Sequence, residues 1–265
     1  MSDLWSDRLI PFAYQYQKEA KPFKEMMTVF GKQVLPQKDM TILDIGCGSG
    51  RIITLLIDDL KLDIKSVVGI DISKHALKYG EKNVNKIKPP FVNVKFIHAD
   101  ISSQDWADPL ETESFDLVTA GLSIQYAQHW DKQTRQWTTK AYERVLQNIF
   151  ALLKPGGQFV CSVNVPNHDF SVIAKASVKE IFTPLWKFPF RLFVAIIMVR
   201  QGKQLTKEAN NGRFLYLPIE QVCNFLKAVG FQQINYTLTY RGLAWVISCF
   251  KPAQQLHNET RIQAY

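Results

Sequence analysis

The 265-residue chain has no long hydrophobic run, no paired cysteines and no low-complexity stretch. Its longest uncharged apolar run, Leu192 to Val199, falls far short of the roughly 20 residues that a bilayer-spanning helix needs. The start of the chain carries acidic residues in place of a basic-then-apolar leader, so the expectation is a soluble, unexported, cytoplasmic protein. Four cysteines, Cys47, Cys161, Cys223 and Cys249, lie far apart with no C-x-x-C pair, which excludes a zinc knuckle and a disulfide framework and leaves no metal site. With 46% hydrophobic and 21% charged residues and its 13 Gly and 12 Pro scattered, the chain is neither disordered nor collagenous. That length and composition suit one α/β domain with embellishments.

Charge is unevenly spread. The formal net charge is +8, yet Met1 to Val165 carries 20 Lys and Arg against 19 Asp and Glu, while Phe170 to Leu217 carries 8 against 2. The same basic segment holds Phe182, Trp186, Phe188, Phe190, Phe193, Phe214 and Tyr216.

Apolar strand-like runs alternate with helical patterns, as in βαβ units around a parallel sheet. The runs are Thr41 to Ile45, Ser66 to Asp71, Phe91 to Ile97, Phe115 to Thr119 and Gln158 to Asn164. Helices are expected from about Arg51 to Leu60, from an N-cap at Ser73 to about Asn83, through an apolar stripe of Tyr142, Val145, Leu146, Ile149, Phe150 and Leu153, and from about Pro218 to Ala228 before Gly230. Lys154-Pro155-Gly156-Gly157 reads as a stop and turn. Phe231 to Tyr240 and Leu243 to Phe250, joined by Arg241-Gly242, read as an antiparallel pair.

Chemistry concentrates at the carboxyl ends of the strands. Gly46-x-Gly48-x-Gly50 follows the first strand and opens a helix, where glycine admits a close ligand and the helix offers N–H groups. Arg51 stands where the dinucleotide fingerprint needs its last glycine, which disfavours a nicotinamide dehydrogenase. Asp71 ends the second strand, where a carboxylate can accept from both hydroxyls of a ribose. Asp100 ends the third, in reach of an exocyclic adenine amine.

The segments Leu43-Asp44-Ile45-Gly46-Cys47-Gly48-Ser49-Gly50, Val68-Gly69-Ile70-Asp71-Ile72-Ser73, His98-Ala99-Asp100-Ile101, Phe115-Asp116-Leu117-Val118 and Leu153-Lys154-Pro155-Gly156-Gly157 jointly resemble class I S-adenosylmethionine-dependent methyltransferases. The likeness spans about residues 40 to 165 and extends through the terminal strand pair. It implies a doubly wound, seven-stranded, mostly parallel sheet with one antiparallel strand, and S-adenosyl-L-methionine across the ends of strands one to four. Residue by residue it implies Asp44 and Gly46, Cys47, Gly48 and Gly50 near the methionine part, Asp71 on the ribose, Ile72 against adenine, Asp100 with Ile101 at the adenine amine, and Thr119 to Gly121 facing the reacting side.

The implied organisation is an N-terminal helical cap (1–39), a cofactor-binding core (40–165), a lid insertion over the substrate site (166–217), a closing helix with the strand pair (218–250), and a tail (251–265). A base is needed only for an acceptor that arrives protonated; His129, His168, Tyr14 and Tyr16 are the candidates, and Gln125, Tyr126, Trp186 and Phe190 are candidates for the substrate wall. No Asn/Asp-Pro-Pro-Tyr/Phe element follows strand four, where Thr119-Ala120-Gly121-Leu122 stands, and this disfavours a nucleobase amine. The expected acceptor is a hydrophobic small molecule methylated at N or O, with peripheral membrane contact through the basic aromatic segment. An RNA- or protein-directed enzyme and a non-catalytic cofactor-binding module are the alternatives.

Overall fold

A computed structural model describes residues 4–5, 8–17, 19–166, 169, 171–178, 182 and 185–253. His168 lies outside the described residues. Seven strands form one sheet: β1 (Met40–Ile45), β2 (Ile64–Asp71), β3 (Asn93–His98), β4 (Phe115–Gly121), β7 (Leu153–Asn164), β8 (Gln232–Thr239) and β9 (Ala244–Phe250). Their order is β3-β2-β1-β4-β7-β9-β8. β9 pairs antiparallel with both β7 and β8, and the remaining ladders are parallel, so the sheet has the one antiparallel strand that the sequence implied.

The helices divide the core between the two faces. Alternation along β1 sends Met40 and Ile42 to one side and Leu43 and Ile45 to the other. On the first side lie α2 (Lys21–Gln33), through Phe23, Met26, Met27 and Phe30, and α4 (Lys74–Val84). On the second lie α5 (Lys140–Leu152), whose buried stripe is Tyr142, Val145, Leu146 and Ile149, and α8 (Ile219–Val229). Ser73 caps α4 by accepting from the Ala76 N–H at 3.3 Å, and Gly230 ends α8 at φ 112°.

Three local departures from the sequence pattern stand out. The helix after the glycine turn is α-helical only as α3 (Arg51–Thr54) and widens to a π turn over Leu55–Asp59, closed by Leu60 N–H on Leu55 C=O at 2.9 Å. The Lys154-Pro155-Gly156-Gly157 turn lies inside β7: Phe115 pairs with Leu153 and Leu117 with Gln158, so the four residues loop out of the ladder. A hairpin of β5 (His129–Asp131) and β6 (Gln136–Thr138) follows β4, with Trp130 and Trp137 paired across it at 5.0 Å. Asp131 Oδ1 accepts from the Gln133 and Thr134 N–H groups and folds its turn.

Two further helices matter for the site: α1 (Leu9–Gln17) near the start of the chain, and the 23-residue α7 (Phe188–Asn210), preceded by the short α6 (Ser171–Ala176).

Candidate active site

The carboxyl ends of β1 to β4 open on one edge of the sheet. Between β1 and α3 the chain turns through Gly46 (φ 65°), Gly48 (φ 53°) and Gly50 (φ 75°), a conformation costly to other residues. Space separates their roles. A Cβ on Gly46 would stand 2.3 Å from Cβ of Ser123, whereas one on Gly48 would meet nothing within 4 Å. Gly46 is therefore demanded by packing, and Gly48 borders free volume.

Asp71 pins this turn. Its Oδ2 accepts from the Gly48 N–H at 2.8 Å and its Oδ1 from the Ser73 N–H at 2.7 Å, leaving each oxygen a further lone pair. Burial raises its pKa against those two bonds. Asp44 sits deeper and is completely buried. Thr119 Oγ1 donates to Asp44 Oδ1 at 2.8 Å, and Asp44 Oδ2 has no partner among the described residues. Burial, opposed by the Thr119 bond and reinforced by the neighbouring Asp71 charge, pushes the Asp44 carboxyl up to about 7. Burial also pushes the Cys47 thiol up, so it stays a thiol. Asp100 folds its own loop by accepting from the Ser102 N–H at 2.8 Å.

A cavity of about 590 Å³ begins at these groups and continues beneath α1 and α7. Asp44, Gly46, Cys47, Gly48, Asp71 and Ile72 line its lower end. Asp100, Ile101 and Gly121 extend that wall along β3 and β4. Above it stand Tyr14, Tyr16 and Tyr126, with Val194, Met198 and Leu205 from α7. Burial, with nearby phenols, raises Tyr14 and Tyr126, so both hydroxyls remain protonated donors.

The other candidates stand apart from the walls. Gly50 backs the turn against Val84, and Thr119 stands behind Asp44. Gln125 is enclosed, its backbone carbonyl accepting from the Leu215 N–H. His129 holds Thr138 within the hairpin, Nδ1 to Oγ1 at 2.9 Å. Trp186 is 77% exposed, and Phe190 packs edge-on against Tyr16 at 4.8 Å.

Three wall groups, Asn164, Arg191 and Glu19, were not among the sequence candidates. Asn164, at the carboxyl end of β7, is buried with Oδ1 unpartnered among the described residues. Arg191 of α7 meets Glu19 at 2.5 Å across the cavity rim. A polar residue ending a strand on this edge was the available signal for Asn164; the ion pair joins positions 172 apart and left none.

A family model described as a methyltransferase domain matches residues 36–212, about two thirds of the chain. The chain belongs to this methyltransferase family. Curated relatives include the demethylmenaquinone methyltransferase of Listeria monocytogenes, 24% identical over 226 residues, covering 83% of this chain and 81% of the relative. The enzyme of that name from Lactococcus lactis is 26% identical over 207 residues, with 78% and 66% covered. Among solved structures, Haemonchus contortus phosphoethanolamine N-methyltransferase 2 is 16% identical at a TM-score of 0.59, covering 93% of this chain and 57% of that one. A SAM-dependent methyltransferase from Aquifex aeolicus is 13% identical at 0.53, with 89% and 93% covered. At such identities the structural likeness establishes the fold. The methyltransferase thus joins a glycine turn, the buried Asp44 and the half-buried Asp71 to a cavity that continues under two helices.

Proposed function

We propose that this methyltransferase moves a methyl group from S-adenosyl-L-methionine to nitrogen or oxygen of a hydrophobic small molecule. The observation that carries the reading is one continuous cavity, polar at the strand ends and largely apolar under α1 and α7. The lower end suits the donor. Gly48 borders free volume, Asp71 has lone pairs left over, and Asp44 holds a buried oxygen without a partner among the described residues. In this reading Asp71 accepts from the ribose hydroxyls, Asp44 faces the cationic methionine end, and Asp100 takes the adenine amine with Ile72 and Ile101 beside the ring.

When bound, the donor supplies a methyl group already activated on a sulfonium sulfur. What remains for the protein is to hold the acceptor atom in line and to exclude water. The protonated hydroxyls of Tyr14 and Tyr126 act as donors that orient a polar acceptor end. Among the described residues no histidine lines the cavity, so the reading assigns no proton transfer to His129. Lipid-like character of the acceptor is supported by the apolar upper wall and by relatives named for demethylmenaquinone.

The test supplies methyl-labelled donor and a host extract, then measures label in organic-soluble, RNA and protein fractions. Label in the organic-soluble fraction is expected. Label in RNA or protein instead would overturn the small-molecule reading and favour a polymer-directed enzyme.

A further inference from the structure

α7 has two unlike faces. Val194, Met198, Gly202 and Leu205 point inward and line the cavity. On the opposite side of the helix, Phe193, Ile196, Arg200, Lys203 and Lys207 recur at three- and four-residue spacing and are all exposed. Phe193 is 48% and Ile196 49% exposed, beside Leu192 at 41% and Trp186 at 77%. The stripe from Phe193 to Lys207 is roughly 21 Å long at 1.5 Å per residue. Its first half is apolar and its second half cationic.

From Leu185 to Lys207 the sequence contains five cations and no carboxylate. Arg191 turns to Glu19, while Lys187 lies over the Trp186 ring at 4.9 Å. Arg200, Lys203 and Lys207 form no ion pair among the described residues, and large apolar groups in water beside such cations are what an anionic lipid surface complements: the rings and Ile196 enter the acyl boundary, and the ammonium and guanidinium groups meet phosphate. Among the described residues no helix is long and apolar enough to cross a membrane, so α7 would lie in the plane.

We propose that the outward face of α7 docks the protein on anionic phospholipid, with Leu192, Phe193 and Ile196, joined by Trp186 just ahead of the helix, as the apolar anchor and Arg200, Lys203 and Lys207 as the electrostatic one. This goes beyond the acceptor's identity and does not depend on it. If the acceptor is lipid-like, the same helix faces bilayer outside and cavity inside.

The test floats the full chain with phosphatidylcholine vesicles, with and without phosphatidylglycerol, for the parent and for the double variants F193S/I196S and R200Q/K203Q. Both pairs are exposed and lie off the cavity wall, and S-adenosylhomocysteine binding reports that each variant is folded. The parent should float with phosphatidylglycerol vesicles and release as salt rises. F193S/I196S should weaken partitioning at least about tenfold. R200Q/K203Q should erase most of the preference for phosphatidylglycerol. The proposal is overturned if the parent stays in solution, if both variants float like the parent, or if the parent is a dimer that F193S/I196S dissociates without any vesicle binding.

Discussion

Lowering the pH should weaken donor binding because a cationic ligand must first drive a proton off Asp44. With no exposure and a pKa of about 7, Asp44 is about three quarters ionised at pH 7.5 but only about 3% ionised at pH 5.5. A ligand whose ammonium needs the carboxylate therefore loses roughly 25-fold in affinity over that interval, or about 2 kcal/mol. At pH 6.5 binding should release about 0.75 proton per ligand. The assay is calorimetric titration with S-adenosylhomocysteine in two buffers of different ionisation enthalpy, corrected for titration of the free ligand. Asp71 is also raised by burial and contributes in the same direction, so the decisive comparison is Asp44→Asn. That variant should bind more weakly at pH 7.5 and lose most of the pH slope and proton release. A constant Kd across the range, or a slope unchanged in Asp44→Asn, would refute the reasoning.

The glycine turn and the base of β4 provide two more tests. Gly48→Ala should fold with a cost of about 1–2 kcal/mol for its φ of 53°, yet lose S-adenosylhomocysteine binding by tenfold or more, because its methyl occupies free volume that the ligand needs. Gly46→Ala should instead melt much lower, since its Cβ runs into Ser123; equal melting of the two variants would contradict this division. Asp116 accepts from Thr41 N–H and Oγ1 at 2.8 Å and from Lys154 Nζ at 2.9 Å. These bonds outweigh burial and hold its carboxyl below the usual range, so Asp116→Ala should cost about 2–3 kcal/mol at pH 7. Because the folded pKa is depressed, the gap between parent and variant melts should close as pH falls through the carboxylate range.

What was legible in the sequence was local. The strand runs, the positive-φ glycines and the carboxylates at strand ends are set by residues a few positions apart, and βαβ handedness then brings Asp44, Asp71 and Asp100 to one edge. The α5 stripe and the closing hairpin were legible for the same reason. The upper wall was legible only in part: Tyr14, Tyr16 and Tyr126 were candidates and do line it, but its assembly was not. Which faces of α1 and α7 meet the sheet depends on packing between segments far apart in the chain, and the Glu19–Arg191 pair has no local signature. His129 follows β4 on the expected edge, but the turn organised by Asp131 draws it into a hairpin. The π turn at Leu55 to Asp59 keeps the apolar pattern of a helix and so leaves no trace in periodicity.

Asp44 also yields a test that separates a ligand-binding carboxylate from a structural one. Its folded pKa of about 7 lies above the usual carboxylate value, so its contribution to stability is intact below about pH 4 and is lost as pH rises to about 7. By pH 7.5 the accumulated cost approaches about 4 kcal/mol as an upper figure. Asp44→Asn removes that cost while still accepting from Thr119, but sets a buried amide N–H₂ where Oδ2 stood, which costs about 1–3 kcal/mol. The ligand-free variant should therefore be more stable than the parent at pH 7.5 by about 1–3 kcal/mol, with the advantage gone by pH 4.5. Its affinity for S-adenosylhomocysteine should fall at the same time. Stability rising while affinity drops is what a strained binding group produces. If melting temperature and affinity fall together at pH 7.5, Asp44 is a structural residue and its unpartnered oxygen is not reserved for the donor.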